Sequence, residues 1–317
     1  MPTPCGKCDA CLVNRKRLWT HRIVLESHCH DRNAFVTLTY DDANLPHNED
    51  GIPTLHKPDL KRFHYNLRNK IGKYRHYSVG EYGTSGERGI NPHFHICLFG
   101  VGEEQSEAID ASWQQKKGKG KDEYKPLGFY HVGELNHKSA AYVAGYVQKK
   151  NQYNKDMYEE LNIVPEYCTM SNGGRTKQGG IGYPFIRKLA KHIEKHPEAL
   201  TPNGDVPISL DMHGRTMPLG RYLREKLREE LGLSHDLITE YDPETGEIHE
   251  KKIWHAKEDQ KENYKTELRL MQENAQNDPK LPENATVSLK HLLEYQNAGK
   301  HAQFKKRQQM QKDTTTL

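Results

Sequence analysis

The chain is expected to fold as an α+β protein: a central antiparallel sheet with helices packed on one face, followed by a helical C-terminal extension. Three observations predict it. Phe35-Val36-Thr37-Leu38-Thr39-Tyr40 alternates and is rich in β-branched and aromatic side chains, the pattern of a strand with one buried face. Two further strand-like runs, 74–80 and 93–99, flank a glycine-rich turn at 83–89 and are expected to pair as antiparallel neighbours. Helical spacing intervenes and follows: Leu60, Phe63, Leu67 and Ile71 run on from Pro58 to a stop at Gly72, and 139–150 forms a second amphipathic segment. With a short strand at 128–133, the order is strand, helix, strand, strand, strand, helix.

The remaining elements extend this frame. A basic helix is expected from Leu12 to about His28, with Leu12, Trp19 and Ile23 on one side and Arg15, Lys16, Arg17 and Arg22 making it cationic. Residues 168–182 are polar and glycine-rich and read as a loop, whereas 217–231 reads as a helix with Leu219, Leu223, Leu227 and Leu231 four apart. From Thr239 onward the Lys/Glu/Gln-rich chain reads as charged helix shading into disorder. Four segments are therefore expected: 1–33 with the cysteine cluster and basic helix, 34–152 with the sheet, 153–235 as a helical extension and 236–317 as a charged, helical or partly disordered tail.

With 317 residues, 34% hydrophobic and 28% charged, the chain can bury one substantial core beside long solvated parts. It has no apolar run of membrane-spanning length and no signal-peptide h-region, so no membrane partner is expected. Its six cysteines are too sparse for a secreted disulfide framework, which points to a reducing cytoplasm. Net charge is only +4, but cations cluster. Lys57, Lys61, Arg62, Arg68, Lys70, Lys73 and Arg75 face one acid, Asp59, and Lys116, Lys117, Lys119, Lys121 and Lys125 crowd a glycine-containing segment that reads as a flexible loop. Such patches suit a polyanion, or else a solvated helix face and loop.

Candidate chemistry lies in two motifs. In Pro92-His93-Phe94-His95-Ile96-Cys97-Leu98, Phe94, Ile96 and Leu98 point into a core while His93 and His95 share the other face. Two imidazoles one pleat apart can hold a divalent metal, although His-x-His alone also suits surface or core histidines. If the preceding strand forms a hairpin with this one, Glu81 adds an oxygen ligand, a set that suits Mg²⁺ or Mn²⁺ acting on a phosphodiester; otherwise it is a surface acid near the turn. On the helix at 139–150, Tyr142, Tyr146 and Lys149 fall within one arc, opposite the apolar stripe of Ala140, Val143, Ala144 and Val147. Two phenols side by side permit two successive transesterifications, or simply pack at a helix–sheet edge. Cys5, Cys8 and Cys11 have metal-ligand spacing, but structural Zn²⁺ would need a fourth ligand such as His21, Cys29 or a histidine beside it, and free or buried thiols are the alternative.

Taken together, four segments resemble the replication initiators of the gokushovirus group of small single-stranded DNA phages (Microviridae), within the HUH endonucleases. They are Pro4-Cys5-Gly6-Lys7-Cys8 with Cys11; the run 35–42; Gly80-Glu81-Tyr82-Gly83 with Pro92-His93-Phe94-His95 and Leu98-Phe99-Gly100; and the helix at 139–150. The resemblance covers roughly the first half of the chain and implies a ferredoxin- or RRM-like sheet. It also implies that His93 and His95 are the histidine pair, and that Tyr142, Tyr146 and Lys149 are the paired tyrosines and following lysine. In related two-tyrosine initiators a lysine can stand between the tyrosines; this chain has Gly145 there, so Tyr146 is expected to be the better-placed nucleophile.

The expected activity is metal-dependent nicking and rejoining of a single-stranded DNA origin through a 5′-phosphotyrosine, starting and ending rolling-circle replication in the cytoplasm of a host bacterium. Lys61, Arg62, Arg68, Lys116, Lys117 and Lys119 are the expected DNA contacts. No Gly-x-x-x-x-Gly-Lys-Ser/Thr motif occurs, so a host helicase would unwind and a host DNA polymerase would extend the 3′-hydroxyl. The rivals are an HUH transposase or relaxase and a non-catalytic single-stranded nucleic-acid-binding protein.

Overall fold

A computed structural model describes residues 6, 8–83, 90–116, 124–149, 157–172, 179–201, 204–212, 214–233, 235–241 and 248–254. The strands are β1 (Asn33–Tyr40), β2 (Arg75–Gly83), β3 (Asn91–Phe99), β4 (Gln114–Lys116), β5 (Tyr124–Pro126), β6 (Gly128–Glu134), β7 (Tyr167–Met170), β8 (Ser209–Met212), β9 (Arg215–Pro218), β10 (His235–Tyr241) and β11 (Ile248–Trp254). The helices used below are α1 (Asp9–Ser27), α2 (Lys57–Ile71), α3 (Ser106–Asp110), α4 (His137–Lys149), α5 (Tyr183–Lys195) and α6 (Gly220–Glu230). Two compact units divide the chain: Met1–His196 with Pro207–Leu231, and Pro197–Val206 with Gly232–Leu317.

The first unit is built on a five-stranded sheet in the order β6-β1-β3-β2-β7, with every neighbouring pair antiparallel. The α+β class and the antiparallel sheet are as the sequence predicts. The helices, however, occupy both faces. Val36, Leu38, Phe94, Ile96 and Leu98 pack with Leu60, Phe63 and Leu67 of α2. Tyr77, Val79, Cys97 and Phe99 pack on the opposite face with Ile23 of α1 and Ala140, Val143 and Ala144 of α4. Burial on both sides explains why β2 is buried almost throughout whereas β1 alternates.

Local chemistry fixes the helices that matter. Pro58 opens α2 and Gly72 closes it at φ 86°, its N–H donating to Arg68 O. At the start of α4, Asn136 Oδ1 accepts the N–H groups of Lys138 (2.9 Å) and Ser139 (3.1 Å), and Ser139 Oγ accepts the Asn136 N–H (2.8 Å). This reciprocal cap satisfies donors that a helix start leaves unpaired. Glu26 of α1 is locked to the sheet: it accepts from Arg75 Nε at 2.5 Å and from the Gly182 N–H at 2.6 Å. Burial would raise this carboxyl, but hydrogen bonds from His30 and Arg75 hold it below the usual carboxylate range. Arg75 therefore belongs to a buried ion pair and leaves the basic stretch in which the sequence places it.

Three sequence expectations are corrected. Residues 167–170, read mostly as loop, form the edge strand β7 on β2, with Val79 opposite Cys168. A short polar strand carries no alternation to announce it, and its partner supplies the order. The helix expected at 217–231 begins only at Gly220, because Arg215–Pro218 pairs with Ser209–Met212. In the second unit, 235–254 contains the hairpin β10–β11 where charged helix was expected. Leu237, Ile238, Thr239 and Tyr241 give β10 its strand character, and Pro243 and Gly246 are turn signals outweighed by the surrounding charge.

Beneath α2 lies a buried polar group with a predictable effect. His64 and His76 rings stand 3.9 Å apart, with His64 Nε2 3.0 Å and His76 Nδ1 2.8 Å from Ser78 Oγ. Burial pushes His76 down to about 3 and lowers His64 as well. Both are neutral when folded, so the unfolded chain binds more protons once pH falls below the free-imidazole range, near 6.5. Stability is complete above that range and should fall as pH drops toward 3, by up to about 1.4 kcal/mol per pH unit for each histidine. Urea midpoints measured across this range should slope less steeply for His76→Gln; an unchanged slope would refute the assignment.

Candidate metal and tyrosine centre

The face of the sheet beneath α1 and α4 carries the candidate site. On the central strand β3, His93 sits opposite Glu81 of β2 and Thr39 of β1, and His95 sits opposite Val79 and Thr37. Paired residues in an antiparallel ladder share a face, so the pleat alone brings Glu81 beside the two imidazoles. His93 Nε2 and His95 Nε2 each lie 2.8 Å from Glu81 Oε1 and 3.1 Å from each other. The three side chains are largely shielded, at 13%, 8% and 3% exposure for His93, His95 and Glu81.

Orientation comes from neighbours that the sequence motifs do not include. His93 Nδ1 is 2.8 Å from Asn91 O, and because a carbonyl only accepts, the proton must sit on Nδ1. His95 Nδ1 is 3.0 Å from Thr37 Oγ1, and its ring stacks on Phe35 with centroids 5.5 Å apart and an 11° interplanar angle. Both Nε2 atoms are thereby turned toward Glu81, the side from which imidazoles would coordinate a metal. Burial would raise Glu81, but hydrogen bonds and charge from the histidines bring it down to about 2, so it stays ionised. Two imidazole nitrogens and one carboxylate oxygen converging within 4.8 Å fit a divalent cation, and they are the only such group among the described residues.

Tyr142 of α4 adjoins this group. Its hydroxyl donates to Glu81 Oε1 at 3.2 Å and lies 3.4 Å from His95 Nε2, and its ring meets His95 edge-on at 5.0 Å. The residue is half exposed, so the hydroxyl is reachable. Burial, then the Glu81 carboxylate, pushes the phenol up to about 12. Next to this anion the phenol is a poor nucleophile until positive charge arrives.

A lysine of α1 approaches the same helix. A Cβ at Gly145 would lie 3.6 Å from Lys16 Nζ, so this amine crosses α4 one turn beyond Tyr142. Sequence reasoning took Lys16 only as part of a basic helix; the hint was the glycine at a helix position flanked by tyrosines, which leaves room for a side chain from elsewhere. Tyr146 and Lys149 lie on α4, and their side chains fall outside the described residues.

The other expected residues lie apart. Lys61, Arg62 and Arg68 belong to α2, on the sheet face opposite the triad. There Arg62 bonds Asp59 and Gln114 O, and Arg68 lies over the Tyr74 ring. Lys116 is exposed on β4, pairing with Tyr124, while Lys117 and Lys119 lie outside the described residues. Cys5 also lies outside them; Cys8 and Cys11 stand at the start of α1. His21 is ten residues along that helix from Cys11, about 15 Å, and Cys29 is farther still. Neither can complete a zinc site with these cysteines.

Residues 33–151 match the family model described as Replication-associated protein ORF2/G2P. The chain is 31% identical to Replication-associated protein ORF2 of Spiroplasma virus 4 over 236 residues, 72% of this chain and 68% of that protein. The chain belongs to this family. Replication-associated protein ORF4 of Chlamydia phage 1 is 32% identical over 47% of this chain, and Replication-associated protein VP4 of Bdellovibrio phage phiMH2K is 28% identical over 63%. The matches span 38% and 62% of those two relatives, less than two thirds of either. No solved structure matches the chain. The gokushovirus-type resemblance is thus established. The family match begins with β1 and ends just past α4, so it encloses the triad and both tyrosines. No helix among the described residues is long and apolar enough to cross a membrane.

The geometry makes a direct prediction about metal binding. His93→Ala or His95→Ala should abolish saturable Mn²⁺ binding followed by electron paramagnetic resonance, with the fold retained. Thr37→Val keeps the shape of the side chain and removes the bond to His95 Nδ1, so it should weaken binding about tenfold. Wild-type affinity in Thr37→Val would show that this bond does not orient the ligand.

Proposed function

We propose that this chain is the replication initiator of a small single-stranded DNA phage and that it nicks and rejoins origin DNA by tyrosine transesterification. The position of Tyr142 carries the proposal: its hydroxyl lies 3.2 Å from Glu81 Oε1 and 3.4 Å from His95 Nε2 on an open side of the triad. Held by Glu81, His93 and His95, Mg²⁺ or Mn²⁺ would supply Lewis-acid withdrawal of charge from a scissile phosphate.

The chain's own residues do the rest. The Tyr142 oxygen forms a bond to phosphorus as the bond from phosphorus to the 3′-oxygen breaks. The phenolic proton leaves to water, and the departing 3′-oxygen takes one from water. The product is a 5′-phosphotyrosine and a free 3′-hydroxyl, which a host polymerase can extend while a host helicase unwinds. When the circle is complete, Tyr146, one turn along the same helix, attacks the regenerated origin phosphate and frees its 3′-oxygen; that 3′-oxygen then attacks the Tyr142 phosphodiester, closing the strand and releasing Tyr142. Lys16 brings an ammonium against α4 at Gly145, from where it would stabilise charge developing on the phosphate during the attack. Because its hydroxyl adjoins Glu81 and His95, Tyr142 is taken as the first nucleophile in this reading. A transposase or relaxase would use the same chemistry, but membership of a replication-associated family favours an initiator.

An origin oligonucleotide cut from the phage's own genome, incubated with Mn²⁺, should give an adduct that survives denaturation and maps to Tyr142 or Tyr146. Tyr142→Phe should slow first-strand cleavage at least about 10³-fold and leave DNA binding intact. An adduct elsewhere, or undiminished cleavage by the double Tyr→Phe variant, would overturn the proposal.

The role of Lys16 has its own test. Lys16→Met should slow cleavage about 10²-fold, and adding Gly145→Lys should restore much of it, because a Cβ at 145 meets only Lys16 atoms at 3.6 Å. Failure of the second lysine to rescue, with the fold intact, would remove Lys16 from the mechanism.

A further inference from the structure

We infer that the sheet carries a nucleobase-stacking subsite beside the triad, formed by Phe129 with His131 on the edge strand β6, whose ligand is single-stranded DNA. It rests on the proposed function for its ligand and for the neighbouring scissile phosphate. The register places it. Phe129 pairs with Thr39, which pairs with His93, which pairs with Glu81, in one row across the sheet. His131, Thr37 and His95 form the next row. Val132, the next residue after His131 and so of opposite alternation, packs into the other core under α2, which places Phe129 and His131 on the triad's side.

Among the described residues, no buried cluster covers this end of the face. The buried residues beneath α1 and α4 lie toward Tyr77, Cys97 and Phe99, away from the Phe129 row. Phe129 is 61% exposed and His131 is exposed as well. The side chains between them and the histidines are Thr37 and Thr39, small and half-buried, which leaves a trough with an aromatic wall. Two strand spacings separate β6 from β3, about 10 Å, so a base on Phe129 belongs to a nucleotide near the scissile phosphate. Gly128 holds this register: a Cβ there would lie 2.2 Å from Thr39 O, so β6 can start against β1 only with glycine.

A large apolar ring facing water gains nothing from folding, whereas every base offers a π-face to stack on it. Stacking of this kind tolerates any sequence and needs no charge. The platform thus supplies what α2, on the far face, cannot supply at the triad.

The test is equilibrium binding of a labelled oligonucleotide by the full chain, without metal, across a salt series. Phe129→Ala should weaken binding about tenfold with an unchanged salt slope, because no phosphate contact is lost. Phe129→Trp should restore affinity, and its added fluorescence should be quenched by DNA. Scanning an abasic site along the oligonucleotide should find one position at which Phe129→Ala costs nothing further, since the stack is already gone. Wild-type affinity for Phe129→Ala, or a loss independent of the abasic position, would overturn the subsite. So would a change in oligomeric state for Phe129→Ala, which would assign the ring to contact between copies. Because binding is read without cleavage, failure of tyrosine adduct formation would leave this result standing, and the reverse holds too.

Discussion

The two-residue period of β3 is the constraint on which the rest depends. As the middle strand of five it is covered on both sides, and its pleat sorts Phe94, Ile96 and Leu98 into one core and His93, His95 and Cys97 onto the other face. Slipping the strand by one residue would drive two imidazoles under α2 and expose three large apolar side chains, so burial itself pins the register. Once it is pinned, the cross-strand partners follow without further design: Glu81 from one side, Thr37 and Thr39 from the other, Phe129 and His131 one strand beyond. Stability and site geometry are in this sense one property of the sheet.

Two buried carboxylates show how differently that geometry is used. Glu26 has a guanidinium, an imidazole and a backbone N–H around it, and removing one partner of such a pair costs about 3–5 kcal/mol. It is a clamp that ties α1 and the turn at Gly182 to β2. Glu81 has two imidazoles whose useful form is neutral, together with a phenol. With two imidazole nitrogens turned toward it, this carboxylate belongs to a ligand set that fits a divalent cation. The clamp holds α1 in place, and α1 in turn carries Lys16 to Gly145.

Much of this was legible in the sequence, and the parts that were not share a cause. Alternation announced β1 and β3, helical spacing announced α2 and α4, and the hairpin between β2 and β3 placed Glu81 by register alone. Periodicity says which side of a helix is buried but not which face of the sheet it covers. For that reason the basic α2 was expected to serve the site and instead lies behind it. The edge strand β7 has no pattern of its own and exists because β2 offers it an unpaired edge. Lys16 was invisible as a site residue because its relation to Gly145 is set by the packing of α1 on α4, far apart in the chain. Arg75 looked like one of many surface cations, since nothing local reveals that Glu26 waits for it.

The arrangement also separates work between the two faces. Under α2, polar groups are sealed: His64, His76, Ser78 and Tyr74 satisfy one another, and Tyr40 donates to Asp59 at 2.9 Å. On the other face, the polar groups are largely shielded but turned toward one place, with the half-exposed Tyr142 at its rim and Phe129 at the edge of the sheet. A sheet with only one covered side would have to choose between a core and a reactive surface. By covering β3 throughout on the α2 side and mainly toward Tyr77 and Phe99 on the other, this fold obtains a rigid β3 from the first and access to His93 from the second. The short threonines of β1 are what keep that access clear, because a larger side chain at Thr37 or Thr39 would fill the space between the aromatic strip and the triad.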